Sequence, residues 1–180
     1  MQKKLPRVFL FVDEYNFKEL SFLKKNIDII YRNYKKKIDK STLLSLKNFC
    51  KRDKRKFYIS NNIKLSIQLK IDGVYIPSFN KDLNFLNINT YKKFHIIGSA
   101  HNKREIRIKR LQGCKLIFLA PIFDSNKNKK ILDIVKFNLN TLNEKNKFIA
   151  LGGINNKNVN KIFLTVSVGF AGIRAIKKTA

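Results

Sequence analysis

Short apolar runs recur along the chain, separated by polar, lysine-rich segments. Eight of them read as strands: RVFLFV (7–12), IDIIYR (27–32), KFYIS (56–60), DGVYIP (72–77), FHIIGS (94–99), KLIFLA (115–120), KFIALG (147–152) and VGFAGI (168–173). Several are apolar nearly throughout, where a strand with one wet face would alternate. That pattern predicts a parallel sheet covered by helices or closed on itself. Between the runs, STLLSLKNFCKR places Leu43, Leu46, Phe49 and Cys50 on one helical face. NKREIRIKRLQG does the same with Ile106 and Leu111 and stops at Gly113, where a C-terminal cap is expected. The stretch after Pro77, SFNKDLNFLNINTYKK, is the weakest helix of the set. Eight strands with intervening helices or short connections predict an α/β fold, a compact single-domain (β/α)8 TIM barrel over residues 1–180. A doubly wound open sheet is the alternative. FVDEYN, after the first strand, lacks the glycines of a nucleotide-binding turn, which counts against it.

Composition narrows this further. At 180 residues, 44% of them hydrophobic and 12% aromatic, the chain can bury a substantial core. Its length is below the usual ~250 residues of such barrels, so some helices must be short. Three prolines and no low-complexity stretch give no support for a domain boundary. No apolar run approaches the ~20 residues needed to cross a bilayer. The N-terminal apolar run breaks at Asp13-Glu14 without a small-residue cleavage site, which argues against a secretory signal. Cys50 and Cys114 lack metal spacing and read as buried free thiols in a reducing cytoplasm, the expected location. The oligomeric state is open, and a homo-oligomer is compatible with everything above.

The formal net charge of +27 invites a nucleic-acid partner. Two features weigh against it. Eight of the 39 basic residues are arginine, whereas specific readers of nucleic acid lean on the arginine fork. Lysine also travels with Asn, Ile and Phe over the whole chain, a joint bias that an AT-rich coding sequence would produce. No recognised nucleic-acid-binding motif accompanies the charge, and the patches YKKK (34–37) and NKNKK (126–130) read as solvated faces.

Candidate chemistry follows from the barrel, whose ligands bind at the C-terminal strand ends. Those ends carry Asp13, Arg32, Ser60-Asn61-Asn62, Pro77-Ser78, Ser99 with His101, Pro121 to Lys127, Gly152-Gly153, and Gly172 to Arg174. This rim is polar, has few carboxylates and suits a phosphate. Gly152-Gly153 reads in two ways: as an anion nest that lets backbone N–H groups approach a phosphate, or as a tight turn with no ligand. The Asn-rich segment after it could cap a helix whose N-terminus aims at the same spot. Gly172 at the last strand end favours the nest. His101 reads as a helix-start residue without a triad, and His95 as structural. Lys127 and Lys129 either reach a phosphate or keep a loop soluble.

The ordered series YISNNIKLSIQLKIDGVYIP, HIIGSAHNKREI, GCKLIFLAPIFDS, FIALGGINNKNV and VGFAGIRAI resembles the thiamine phosphate synthase/TenI family. That family's pattern has a strand ending in Asn-Asp, an Ala-Asp-Gly-Val-His strand, a Gly-x-Ser-x-His segment, a Pro-x-Phe-x-Thr loop and an Ile-Gly-Gly-Ile turn. The resemblance covers the chain from about Ile27 onward. It implies a (β/α)8 barrel in thiamin biosynthesis that couples hydroxymethylpyrimidine diphosphate to a thiazole phosphate, releasing pyrophosphate by a dissociative route. Phosphorylated small molecules would be the substrates and Mg2+ the cofactor.

Carried over by position, Arg32 would hold the diphosphate and Asn61 would face the pyrimidine. Ser99 and Lys127 (or Lys129) would join Arg32 in catalysis, and Ser125 would take the place of a pocket threonine. Gly152, Gly153, Gly172 and Arg174 would bind the thiazole phosphate. The family's metal-binding aspartates fall on Asn62 and Asn80, with Asp82 an alternative for the second. The neighbouring family lysine falls on Tyr34, the fourth-strand histidine on Tyr75, and the loop's Gly-Gln on Pro77-Ser78. Ala120-Pro121 stands where the TenI branch has a histidine, which implies the synthase branch over the tautomerase. A family member that binds the phosphate without turnover is the alternative reading.

Overall fold

The structure, a computed structural model, describes residues 7–34, 38–84, 93–124 and 131–172. Eight strands, β1 (Arg7–Val12), β2 (Ile27–Tyr31), β3 (Phe57–Ser60), β4 (Gly73–Ile76), β5 (His95–Ala100), β6 (Leu116–Leu119), β7 (Lys147–Leu151) and β8 (Gly169–Gly172), pair in sequence order. All pairs are parallel. The ring closes through Arg7↔Gly169 and Leu10↔Gly172. Each predicted strand is present to within two residues. The strands are buried over nearly their whole length because alternate residues face two different cores.

Inside the barrel, Phe9, Phe11, Ile30, Tyr58, Tyr75, Ile97, Leu116, Phe118, Ile149 and Ala171 form one cluster. Its rings meet edge to face: Phe9–Phe118 at 5.0 Å, Phe11–Tyr75 at 5.2 Å and Tyr75–Phe118 at 5.5 Å between centroids. Outside, the alternate strand residues pack under helices in two further clusters, one beneath β1–β3 and one beneath β4–β7.

The helices are α1 (Phe17–Ser21), α2 (Lys40–Arg52), α3 (Ile63–Gln68), α4 (Lys103–Leu111) and α5 (Asp133–Thr141). Helix α2 begins where Asp39 accepts from the N–H groups of Ser41 and Thr42. These bonds, with those from both hydroxyls, hold the Asp39 carboxyl well below the usual carboxylate range. The helix buries Leu43, Leu46, Phe49 and Cys50 as its spacing predicts, each large side chain contributing about 1.5–3 kcal/mol by burial. Arg55, also buried, ties the base of this half together by donating to the carbonyls of Leu23, Lys24 and Ile27. Both cysteines are buried and free, and burial pushes each thiol up to about 12.

Three expectations change. In α4, Ile106 is buried but Leu111 is 47% exposed; the inward position belongs to Lys109, which is fully buried. Residues 78–84 of the weak helix are irregular, and 85–92 lie outside the described residues. The helix expected after Gly152-Gly153 is a 3₁₀ segment at Val159–Leu164, preceded by turns in which Asn155 and Asn158 bond each other's backbone neighbourhood. Among the described residues, the segment that follows the glycine pair therefore aims no α-helix N-terminus at it. Gly113 does end α4 as expected, at φ +75. Among the described residues no helix is long and apolar enough to cross a membrane.

Candidate active site

The C-terminal strand ends converge on one mouth, and the side chains there are fixed by hydrogen bonds to neighbouring strand ends. Arg32 follows β2, its N–H donating to Val12 O at 2.7 Å. Its guanidinium lies over the Phe11 ring, 4.4 Å from the centroid, a cation–π contact that aims the cation across the mouth. Among the described residues no carboxylate pairs with it within 4 Å, so its donors can take an anion. A cavity of about 130 Å³ opens beside it, lined by Asp13, Glu14 and Asn16 among others.

Deeper in the mouth, Ser99 is buried on β5 and hydrogen-bonded through its hydroxyl to Tyr75. Burial pushes the Tyr75 phenol up to about 12, with Ser99 and then Arg32 opposing the shift, so the phenol is neutral at physiological pH. Tyr34 bonds Ser60 at 2.7 Å and meets Phe79 edge-on. Burial raises its phenol as well. Tyrosines thus occupy both positions where the family pattern has a lysine and a histidine, and both are held by serine hydroxyls.

The asparagine group lies between β3 and β4. Asn61 sits in the left-handed region at φ +57, donates its N–H to Tyr75 O at 2.8 Å, and accepts from Asn80 Nδ2 at 2.6 Å. Asn62 caps α3, its Oδ1 accepting from Leu65 N at 3.0 Å. Asn80 Oδ1 accepts from Asp82 N at 2.9 Å, and Asp82 Oδ1 accepts from Asn84 N at 3.0 Å. These residues border a cavity of about 280 Å³. A hard divalent cation needs several oxygen donors, preferably carboxylates. Here the amide oxygen of each asparagine is already engaged within the chain, and among the described residues Asp82 is the one carboxylate on the cavity wall. Among the described residues no group of three His, Cys, Asp or Glu could hold a metal. The donor set does not fit Mg2+.

Beneath that loop lies a feature that hydropathy does not reveal. Lys109 Nζ donates to Pro77 O (2.8 Å), Asn80 O (2.7 Å) and Gln112 Oε1 (2.8 Å). Gln112 Nε2 in turn donates to Asn80 O and Asp82 O. A buried cation and its amide partner thereby anchor the loop after β4 from below.

Gly152 and Gly153 stand at φ +94 and +67. A Cβ on Gly152 would come within 2.8 Å of Pro121, and one on Gly153 would clash with the Phe123 carbonyl. The pair lets β7's end lie flat against the β6 loop, which is stitched to it by Ile122 N to Leu151 O (2.9 Å) and Phe123 N to Gly152 O (3.1 Å). Close packing therefore explains the pair without a ligand, and Asn158 Nδ2 occupies the Gly153 carbonyl at 2.8 Å. Gly172 ends β8 half-buried beside β1. Ser125, Lys127, Lys129 and Arg174 lie outside the described residues. His101, beyond β5, bonds Glu105 at 2.9 Å, as a helix-start residue would.

Comparison with known proteins agrees with this geometry. The family model described as thiamine monophosphate synthase matches residues 23–176. The thiamine-phosphate synthase of Prochlorococcus marinus (strain AS9601) is 30% identical over 142 residues, 74% of this chain and 39% of that protein. That of Methanococcus vannielii is 26% identical over 126 residues, 67% of this chain and 59% of that protein. The chain thus spans about two fifths of the length of the Prochlorococcus relatives it matches. Among solved structures, thiamine phosphate pyrophosphorylase from Pyrococcus furiosus superposes with a TM-score of 0.75 at 13% identity, over 96% of this chain and 90% of that one. Its Bacteroides thetaiotaomicron counterpart gives 0.62 at 16% identity, over 94% and 83%. With the barrel closed in this order and the family model spanning nearly all of it, the chain belongs to the thiamine monophosphate synthase family.

Proposed function

We propose that the mouth binds phosphorylated thiamin precursors and couples hydroxymethylpyrimidine diphosphate to thiazole phosphate. The observation that carries this is the family match over residues 23–176, which includes Arg32, Asn61, Ser99 and Gly152-Gly153. In the reaction, the bond from the pyrimidine methylene to the diphosphate oxygen breaks and the oxygen keeps the electron pair. The thiazole nitrogen then donates its lone pair to the methylene carbon. Arg32 neutralises charge on the leaving diphosphate. Asn61, fixed by Asn80, offers its amide to the pyrimidine. Ser99, buried beside Tyr75, bounds the dry end of the pocket, where the aromatic cluster keeps water from the cation. Gly152-Gly153 and Gly172 receive the thiazole phosphate, together with Ser125, Lys127 and Arg174. Because the donor set does not fit Mg2+, no step is assigned to a metal, and lysine and arginine carry the charge that the family's metal would.

One observation favours a second reading: the side-chain oxygens of Asn62 and Asn80, at the metal positions, are both engaged within the chain. A barrel built this way could bind a thiazole phosphate without turnover. Purified protein mixed with both precursors, with and without Mg2+, separates the two. Thiamin phosphate formation supports the synthase. Thermal stabilisation by thiazole phosphate with no product supports the binding reading. Neither product nor stabilisation sinks both.

A further inference from the structure

The opposite end of the barrel carries a cationic cavity of about 490 Å³. Its wall is built from the beginnings of strands: Arg7 of β1, Tyr58 of β3, His95 of β5, Lys115 and Leu116 at β6, and Lys147 of β7, with Lys145 beside it. Among the described residues no carboxylate lines it. The acidic residues around it have partners of their own: Asp72 bonds Lys56 Nζ at 2.8 Å and Phe57 N at 3.0 Å, Asp28 bonds Lys56 N at 2.9 Å, and Glu144 pairs with Arg110 at 3.4 Å. Among the described residues none of Arg7, Lys115, Lys145 and Lys147 has an ion-pair partner within 4 Å.

His95 adds an independent observation. Its Nδ1 is buried and has no hydrogen-bond partner among the described residues. Its ring titrates below the ordinary histidine range through burial, then through the charges of Lys115 and Lys56, with Asp72 opposing them. The cavity therefore gathers several cations, with Asp28 acting on Arg7 and Asp72 on His95 as the acidic groups that offset part of their repulsion. A compact anion would add to that relief, and because Arg7, Lys115, Lys145 and Lys147 are exposed, its attraction falls as ionic strength rises.

We propose that this N-terminal cavity is an anion site for a compact polyanion of the diphosphate class, separate from the mouth at the C-terminal strand ends. The proposal is independent of the reaction assigned to that mouth. Arg7, Lys115, Lys145 and Lys147 supply the charge, and Tyr58 and Leu116 form the floor. Steric access comes from the cavity's breadth, many times the ~30 Å³ of one water.

The two histidines make the test direct, because His95 begins β5 and His101 follows its end, so they report on opposite ends of one strand. Inorganic diphosphate is titrated into the full chain while the imidazole signals of both are followed by NMR, with His95→Gln assigning them. The expected result is a saturable shift of the His95 signal and a rise in its pKa. Lys145→Gln/Lys147→Gln should weaken that response at least tenfold while leaving the melting temperature and the His101 response unchanged. A His101 shift with His95 silent overturns the proposal, as does an undiminished His95 shift in the double variant. A His95 shift given by a DNA oligomer but not by diphosphate also overturns it.

Discussion

Asn80 donates its side-chain amide to Asn61 Oδ1 at 2.6 Å, joining the end of β3 to the loop after β4. The bond needs an amide on Asn80: an aspartate there would set two acceptors face to face. Asn62, by contrast, needs only an acceptor to cap α3, and Asp caps as well as Asn. Asn62→Asp should therefore change stability by less than about 0.5 kcal/mol, whereas Asn80→Asp should cost about 1–2 kcal/mol. Urea denaturation of each variant measures both. Adding Mg2+ to Asn62→Asp/Asn80→Asp should raise its midpoint while leaving the parent unmoved; no response would mean that these positions are not a degenerate metal site.

Lys109→Met removes the cation from beneath the 77–82 loop. Pro77 O and Gln112 Oε1 then lose a donor, and Asn80 O keeps only Gln112. Unsatisfied buried acceptors outweigh the relief of desolvation, so the variant should lose about 2–3 kcal/mol by equilibrium denaturation.

A pH dependence accompanies this residue. Burial lowers the Lys109 ammonium from 10.5 to about 8 in the folded chain. Between those values the unfolded chain binds the proton more tightly, so folding stability gains as pH rises through the window. The stability of the parent relative to Lys109→Met should accordingly increase from pH 8 towards pH 10, and be flat from pH 6 to 7. A difference that shrinks with rising pH would refute the assignment.

Gly153→Ala should destabilise the fold without any ligand, by about 2–4 kcal/mol, because both the positive φ and the Phe123 carbonyl resist a Cβ. Thermal melting checks this. If the substitution is tolerated yet thiazole phosphate no longer stabilises the protein, the pair serves the ligand more than the packing.

Tyr75→Phe keeps the ring contacts to Phe11 and Phe118 and deletes the bond to Ser99. The expected cost is about 0.5–1.5 kcal/mol, read from denaturant midpoints. A larger loss would mean that the hydroxyl holds more of the mouth than Ser99.

The strands were legible because a barrel wall buried on both faces needs uninterrupted apolar runs, and RVFLFV and KLIFLA can hardly serve another purpose. Helix α2 was legible from Leu43, Leu46 and Phe49 for the same reason of period. The short helices α1 and α3 escape that test: at five and six residues they rest on the caps Asn16 and Asn62 more than on an apolar stripe. Lys109 was illegible in principle, since hydropathy places a lysine outward and nothing local announces three waiting oxygens 29 to 32 residues earlier and one turn ahead. At the mouth, motif order placed Arg32, Asn61 and Ser99 at strand ends. It gave no sign that a phenylalanine two residues before Asp13 would carry the guanidinium, or that the glycine pair would be needed by its neighbouring loop.

The packed rings of Phe9, Phe11, Tyr58, Tyr75 and Phe118 fill the barrel between its two ends. They act as insulation. Buried and packed against one another, they separate the mouth from the opposite end with apolar side chains. Residues at one end can drift in charge and chemistry without short-circuiting the other, which leaves a small barrel free to keep two unrelated electrostatic histories in a single wall.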